Sequence, residues 1–267
     1  MDGTKEPMFA EERQMKIMSI LTQEKKILVH DLCRTLSVSA VTVRNDLQDL
    51  EDRGLLTRTH GGAILPVQAS FEENTSQKEI RNAARKKAIA RAAAEYVRDG
   101  DTIAVDTGTS AQAFAACLAG KKNLTVITSD LRVALYLEKN SEASVILLGG
   151  TVRHGYDCTV GPYAEQMMRD FFVDKCFLGT NGITAERGLS TPKPEQAAVK
   201  RLMISQSNQL IVICDGEKFG RDSLVSVAPA DAINMIVTDE SAAPSELAAL
   251  EKLNIKIICV GEDEIKG

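Results

Sequence analysis

Apolar residues recur at helical spacing through the first fifty positions. Met15, Ile17, Met18 and Leu21 predict a helix over residues 11–22, and Lys26–Val29 is a short extended stretch. Leu32 and Leu36 mark the inward side of a second short helix, His30–Leu36. A third helix is predicted over Ala40–Arg53, with Val43, Leu47 and Leu50 as its buried stripe, Ser39 as its N-cap and Gly54 as its stop. From Leu55 to Leu65 two short strands flank a basic, glycine-containing tip. A short helix, a turn, an amphipathic helix and a hairpin form the layout of a winged helix-turn-helix, whose second helix enters the DNA major groove.

Residues 66–78 are polar and irregular around the lone aromatic Phe71 and read as a linker. They separate a first domain, 9–65, with its helix-turn-helix at about 26–45, from a second, 79–267. The second begins with an Ala-rich helix over 79–98. Strands then follow at Thr102–Val105, Leu124–Ile127, Val145–Leu148, Lys175–Leu178, Leu210–Cys214, Met235–Thr238 and Ile255–Val260. Between them lie predicted helices at Ser110–Leu118, Leu131–Glu138, Tyr163–Phe171, Glu195–Gln206 and Pro244–Leu253. Short apolar runs alternating with helical patterns predict an α/β fold, a Rossmann-like parallel sheet covered on both faces.

Composition narrows the function classes. A hydrophobic content of 44% and a charged content of 26% suit a globular chain, and no apolar run approaches membrane length. The polar, acidic N-terminus is unlike a secretory signal, and the six scattered Cys contain no C-x-x-C pair. Together these predict a reduced, cytoplasmic protein. Only His154 and Cys158 lie close enough to suggest a metal, so no metal site or cofactor is expected. Net charge is −5, and residues 1–66 carry nine Lys and Arg against ten Asp and Glu, so a DNA contact must come from local placement of Arg44, Arg53, Arg58 and His60.

In an open parallel sheet, ligands bind beyond the carboxyl ends of the strands. The loops expected there are rich in Gly and hydroxyls: Asp106–Ser110, Thr128–Asp130, Gly149–Arg153, Gly179–Gly182 and Asp215–Lys218. Gly108, Thr109 and Ser110 at a helix start have the makings of a phosphate cradle, although the same residues also serve an ordinary βα turn. The loop is neither a P-loop nor a dinucleotide fingerprint. Lys218 offers a cation, and Asp106, Asn181 and Asp215 can receive sugar hydroxyls, though Asp215 and Lys218 also suit a surface ion pair. Thr128, Ser129, Gly149, Gly150 and Arg153 complete the candidate ligand site, which points to a small phosphorylated polyol or sugar.

These residues together resemble the DeoR family of bacterial sugar-metabolism regulators. In the first half the resemblance rests on Glu12-Arg13, Ile17, Leu21, Val38-Ser39, Thr42–Leu47, Leu50-Glu51, Gly54 and Arg58–Ala63. In the second it rests on Asp99–Asp101, Asp106–Thr109, Leu124–Ser129, Leu147–Gly150, Val160–Pro162, Phe177–Thr180, Gly182-Ile183, Gly188–Thr191, Glu195, Asp215 and Lys218–Gly220. Two departures stand out. The usual Arg-Arg-Asp is Arg44-Asn45-Asp46, as in a branch resembling amino-sugar and galactitol/tagatose-pathway regulators, and Gln196 follows Glu195 where Ala is frequent.

The resemblance implies a sensor fold similar to ribose-5-phosphate isomerase and glucosamine-6-phosphate deaminase, with Glu195 among its ligand contacts. It also implies a phosphorylated sugar as inducer, double-stranded operator DNA as partner, and a homodimeric or homotetrameric repressor of a carbohydrate operon. Ser39, Thr42, Arg44, Asn45 and Gln48 are then expected to face DNA, with Arg58, His60 and Gly61 on its backbone through the wing. The rival is a sugar-phosphate isomerase or deaminase with an accessory N-terminal domain. Such chemistry needs a carboxylate base, and Gly179–Gly182 carries none, so no catalytic residue is expected.

Overall fold

The computed structural model describes residues 9–24, 26–64 and 72–266, and falls into two compact units that divide between Glu73 and Asn74. Leu65 and linker residues 66–71, with Phe71, lie outside the described residues. Among the described residues no helix is long and apolar enough to cross a membrane.

In the first unit, α1 (Ala10–Glu24), β1 (Lys26–Leu28), α2 (Val29–Leu36) and α3 (Ala40–Asp52) precede the hairpin β2 (Thr57–Thr59) and β3 (Gly62–Ile64). Ile17, Leu21, Leu32, Leu36, Val43, Leu47 and Leu50 form one core, as their spacing predicts. The cap is the expected one: the Thr42 backbone N–H donates to Ser39 Oγ at 3.1 Å. The extended stretch before α2 has a role that periodicity alone does not reveal. It pairs antiparallel with β3, giving the order β1-β3-β2 and fastening the wing to the helices.

A partly buried ion pair locks α3 from behind. Arg13 of α1 donates two hydrogen bonds to the Asp46 carboxylate of α3, one of them Nη2–Oδ1 at 2.9 Å. That fork holds the Arg13 guanidinium above its ordinary pKa, chiefly through the hydrogen bond to Asp46. Asp46 therefore lies on the inner face with Val43 and Leu47, leaving Arg44 and Asn45 outside.

The second unit opens with α4 (Thr75–Ile80) and α5 (Ala83–Ala94), where a single helix over 79–98 is expected. The chain breaks at Asn82, which takes a left-handed φ of 55°. The buried Lys86 ammonium caps the break by donating to the carbonyls of Lys78 and Arg81. Thr75 to Lys78, expected in the linker, are helical, and the Thr75 N–H donates to Gly155 O at 3.1 Å.

From there the chain alternates β4 (Thr102–Val105), α6 (Thr109–Ala116), β5 (Thr125–Thr128), α7 (Leu131–Asn140) and β6 (Ser144–Leu147). A small hairpin, β7 (Thr151–Arg153) and β8 (Cys158–Val160), leads to α8 (Pro162–Arg169) and β9 (Val173–Leu178). The strands β10 (Gly182–Thr184) and β11 (Gly188–Thr191) precede α9 (Pro194–Ser205), β12 (Ser207–Ile213) and β13 (Val225–Ala228). The chain ends with β14 (Met235–Asp239), α10 (Pro244–Glu251), β15 (Lys256–Val260) and α11 (Glu262–Lys266).

All seven expected strands join one sheet, β15-β14-β12-β9-β4-β5-β6, and every pairing in it is parallel. Strand alternation sends Ile103 and Val105 to one face, with α5, α6 and α7, and Ala104 to the other, with α8, α9 and α10. Three further strands form an antiparallel sheet, β10-β11-β13, that the sequence pattern does not show.

Removing the Asp46 carboxylate takes a charged acceptor of two hydrogen bonds from the partly buried Arg13 guanidinium. Asp46→Ala is expected to destabilise the first unit by about 1.5–3 kcal/mol, the usual worth of hydrogen bonds between charged groups. The urea midpoint of that unit measures it.

Candidate ligand edge and DNA-reading face

The helix dipoles, loop hydroxyls and strand ends of the second unit converge on the carboxyl edge of the parallel sheet. Its centre is a buried ion pair between Asp106, just beyond β4, and Lys200 of α9. Lys200 Nζ donates to Asp106 Oδ2 and, at 2.9 Å, to the Gly179 carbonyl, while the Gly179 N–H donates to Asp106 Oδ2 at 2.9 Å. Lysine is rarely fully buried unless paired, and this one ties β4, β9 and α9 together. Its signal in the sequence is its place on an apolar stripe, three residues from both Ala197 and Met203.

The same device recurs along the edge. Asp130 caps α7 by accepting from the Arg132 and Val133 N–H groups, each at 2.9 Å, and its other oxygen accepts from the Gly108 N–H at 2.8 Å. Burial pushes the Asp130 carboxyl upward against the hydrogen bonds that hold it down. Asp239, at the end of β14, accepts from the Gly216 N–H at 2.9 Å. In each case a carboxylate at one strand end holds a glycine N–H in the loop of a neighbouring strand.

The expected ligand residues divide between the fold and the open edge. Asp106 and Asp215, expected to receive sugar hydroxyls, are both buried, with Asp215 Oδ1 accepting from the Glu217 N–H at 3.2 Å. Thr128 and Ser129 are buried, Thr128 Oγ1 accepting from the Asp130 N–H at 3.0 Å. Gly108, at φ 99°, starts α6 without a side-chain cap, and Thr109 and Ser110 follow it half-buried. Gly150, at φ 139°, lets the chain close against β8: a Cβ there would lie 2.6 Å from Val160 O. The Gly149 N–H meets Met167 Sδ at 3.1 Å, and Lys218 is half-buried in a short 3₁₀ turn beyond β12.

A second polar cluster lies on the same edge. The buried Gln196, in the first turn of α9, accepts at Oε1 from Arg153 Nη1 at 3.2 Å and donates from Nε2 to Thr107 Oγ1 at 3.2 Å. Thr191 Oγ1 lies 3.2 Å from Gln196 Oε1 and 3.0 Å from the Asn181 amide. Arg153 also stacks its guanidinium 3.7 Å from the Tyr156 ring centre. Glu195 is exposed, so its neighbour Gln196 is the residue of this turn that enters the cluster.

On the first unit, Ser39, Arg44, Asn45, His60 and Gly61 are exposed, and Thr42, Gln48 and Arg58 are half-buried. Gln48 links helix and wing: its Nε2 donates to Asp52 Oδ1 at 2.8 Å and its Oε1 accepts from Arg58. The Arg58 N–H also donates to Glu51 Oε1 at 2.8 Å.

Residues 13–69 match the DeoR-like helix-turn-helix domain, and residues 81–240 match the DeoR C terminal sensor domain. The chain belongs to the DeoR family. The HTH-type transcriptional regulator GolR of Listeria innocua is 38% identical over 232 residues, covering 87% of this chain and 91% of its own. The transcriptional repressor AccR of Agrobacterium fabrum is 35% identical over 249 residues, covering 93% of this chain and 96% of its own. This DeoR-family chain is a DNA-binding transcriptional regulator, as the pattern of its first sixty residues predicts. Ribose 5-phosphate isomerase A of Methanocaldococcus jannaschii overlaps 52% of this chain and 55% of its own at 17% identity and a TM-score of 0.40, an overlap too loose to bear on activity.

Lys200→Met leaves the Asp106 carboxylate buried and unpaired, and is expected to destabilise the second unit by about 3–5 kcal/mol. Adding Asp106→Asn keeps an acceptor for the Gly179 N–H and removes the orphan charge. The double variant is therefore expected to recover most of that loss in urea unfolding.

Proposed function

We propose that this regulator represses a carbohydrate operon and that its sensor domain binds a phosphorylated sugar that relieves repression. The observation that carries this reading is the division of labour along the sheet edge. The strand-end carboxylates are committed to the fold, while the half-buried Thr107, Thr109, Ser110 and Asn181, the uncapped start of α6 and the Arg153 guanidinium bound to Gln196 lie at the same edge. That set suits an anion with a polyol tail. The phosphate belongs at the first turn of α6, where the N–H groups of Thr109 and Ser110 add to the helix dipole. The Gly108 N–H is not part of this cradle, because Asp130 already occupies it. Thr107, Asn181 and Arg153 then meet the sugar.

On the DNA side, the exposed Arg44 and Asn45 suit base edges in the major groove, with Arg58, His60 and Gly61 along the backbone. Two copies of the chain bring two recognition helices to a pair of half-sites, so a homodimer or homotetramer suits the reading. A cytoplasmic site of action accompanies it. Sugar-phosphate turnover is not expected, because Asp106 and Asp130, the carboxylates that follow β4 and β5, hold backbone N–H groups.

Two measurements test the proposal. Thermal melts against a panel of pentose and hexose phosphates are expected to show one phosphate raising Tm while its unphosphorylated sugar does not. No response to any phosphate, or turnover of one of them, contradicts it. Asn45→Ala is expected to cost about 1–3 kcal/mol on the preferred site and to relax base preference there, leaving the salt slope unchanged. An equal loss on all sequences contradicts the role of Asn45.

A further inference from the structure

Thr191 has one hydroxyl proton but two amide neighbours. Its Oγ1 lies 3.0 Å from Asn181 Oδ1 and 3.2 Å from Gln196 Oε1, and one proton serves only one oxygen. Thr191 and Gln196 are both buried, so a mismatched contact there has no water to repair it. The two ends of a primary amide are nearly the same size, so a half-turn of either amide is sterically open. Turning Gln196 puts its NH₂ against Arg153 Nη1, donor against donor. Arginine cannot accept, so the Gln196 orientation is fixed. Turning Asn181 costs nothing comparable: its Nδ2 donates to Thr191, Thr191 donates to Gln196, and every contact in the chain is matched.

We infer that Arg153, acting through Gln196, sets the hydrogen-bond polarity of the ligand edge and thereby its specificity. Gln196 Nε2 donates to Thr107 Oγ1, so the Thr107 hydroxyl uses its lone pair inward and turns its proton outward. Asn181, donating inward, turns its carbonyl outward. Both residues are half-buried, within reach of a ligand at the edge. The edge therefore presents a donor at Thr107 and an acceptor at Asn181. It selects a ligand with an acceptor oxygen, such as an open-chain carbonyl, at the first and a hydroxyl or amine at the second. Gln196 is the specificity-determining residue, because it passes the polarity imposed by Arg153 to both ends. The ligand part of this inference rests on the sugar-phosphate reading; the polarity does not.

Proton exchange of the Asn181 side-chain NH₂, followed by ¹⁵N NMR in the ligand-free full chain, tests the polarity. One of its two protons is expected to exchange slowly, and Thr191→Val, which removes the acceptor, is expected to bring it to the solvent rate. Two fast protons in the unsubstituted protein overturn the inference without recourse to any variant.

Binding then tests the specificity, using the sugar phosphate with the largest melting shift and inorganic phosphate as a control for charge. Gln196→Glu has no donor, so Thr107 turns its proton inward. The affinity for the sugar phosphate is expected to fall about tenfold more than that for inorganic phosphate, the equivalent of one hydrogen bond. Gln196→Met leaves Thr107 free to donate outward and is expected to lose about threefold or less. Equal losses for Glu and Met, or equal losses for sugar phosphate and inorganic phosphate, overturn the assignment. If no sugar phosphate binds the unsubstituted chain, the sugar-phosphate reading fails and the exchange result still decides the polarity.

Discussion

The Asp106–Lys200 pair holds the middle of the second unit, and the geometry of the ligand edge follows from it. Two unit charges this deep require each other and further hydrogen bonds, which the N–H and carbonyl of Gly179 supply. The pair therefore dictates how closely the loops after β4 and β9 approach and where α9 begins its second turn. Gln196 lies four residues before Lys200, one helical turn away on the same face, so the pair that anchors α9 also aims its first turn at the edge.

Carboxylates at strand ends invite a functional reading, because sugar hydroxyls are often held that way. Here they are structural. Asp106, Asp130 and Asp239 each reach a glycine N–H in an adjacent loop and so turn flexible segments into fixed walls. In the proposed function, recognition falls to the hydroxyls, amides and Arg153 guanidinium held in those walls. The first unit follows the same logic, in that the Arg13–Asp46 fork fixes the inner face of α3 and leaves Arg44 and Asn45 exposed on the other.

Much of this was legible in the sequence, and the remainder has physical reasons. The seven parallel strands are short apolar runs, buried at the centre of the sheet and partly exposed at its edges β6 and β15, and Ser39 before an amphipathic stretch is a strong helix start. The strands β7, β8, β10, β11 and β13 run only three or four residues, too short for an alternation to emerge. The break at Asn82 interrupts a composition that favours helix throughout and depends on Lys86 folding back on two carbonyls. Lysine is nearly always a surface residue, so the burial of Lys86 and Lys200 is not evident from residue type. Glu195 entered through the family resemblance, whereas the neutral Gln196 beside it is the buried residue. Asp106 and Asp215 were recognisable as strand-end carboxylates, but which way each faced depended on partners distant in sequence.

The proposed function couples the two halves: a sugar phosphate at the sheet edge lowers the affinity of the chain for DNA. Linkage of this kind is typically worth about 1–3 kcal/mol, or roughly 5- to 150-fold. Fluorescence anisotropy of the full chain on DNA from upstream of its own gene, with and without each sugar phosphate, measures it directly. The account predicts specific binding at moderate salt that one phosphate weakens at least about fivefold and its unphosphorylated sugar leaves unchanged. Binding that no phosphate alters, or that one strengthens, contradicts it.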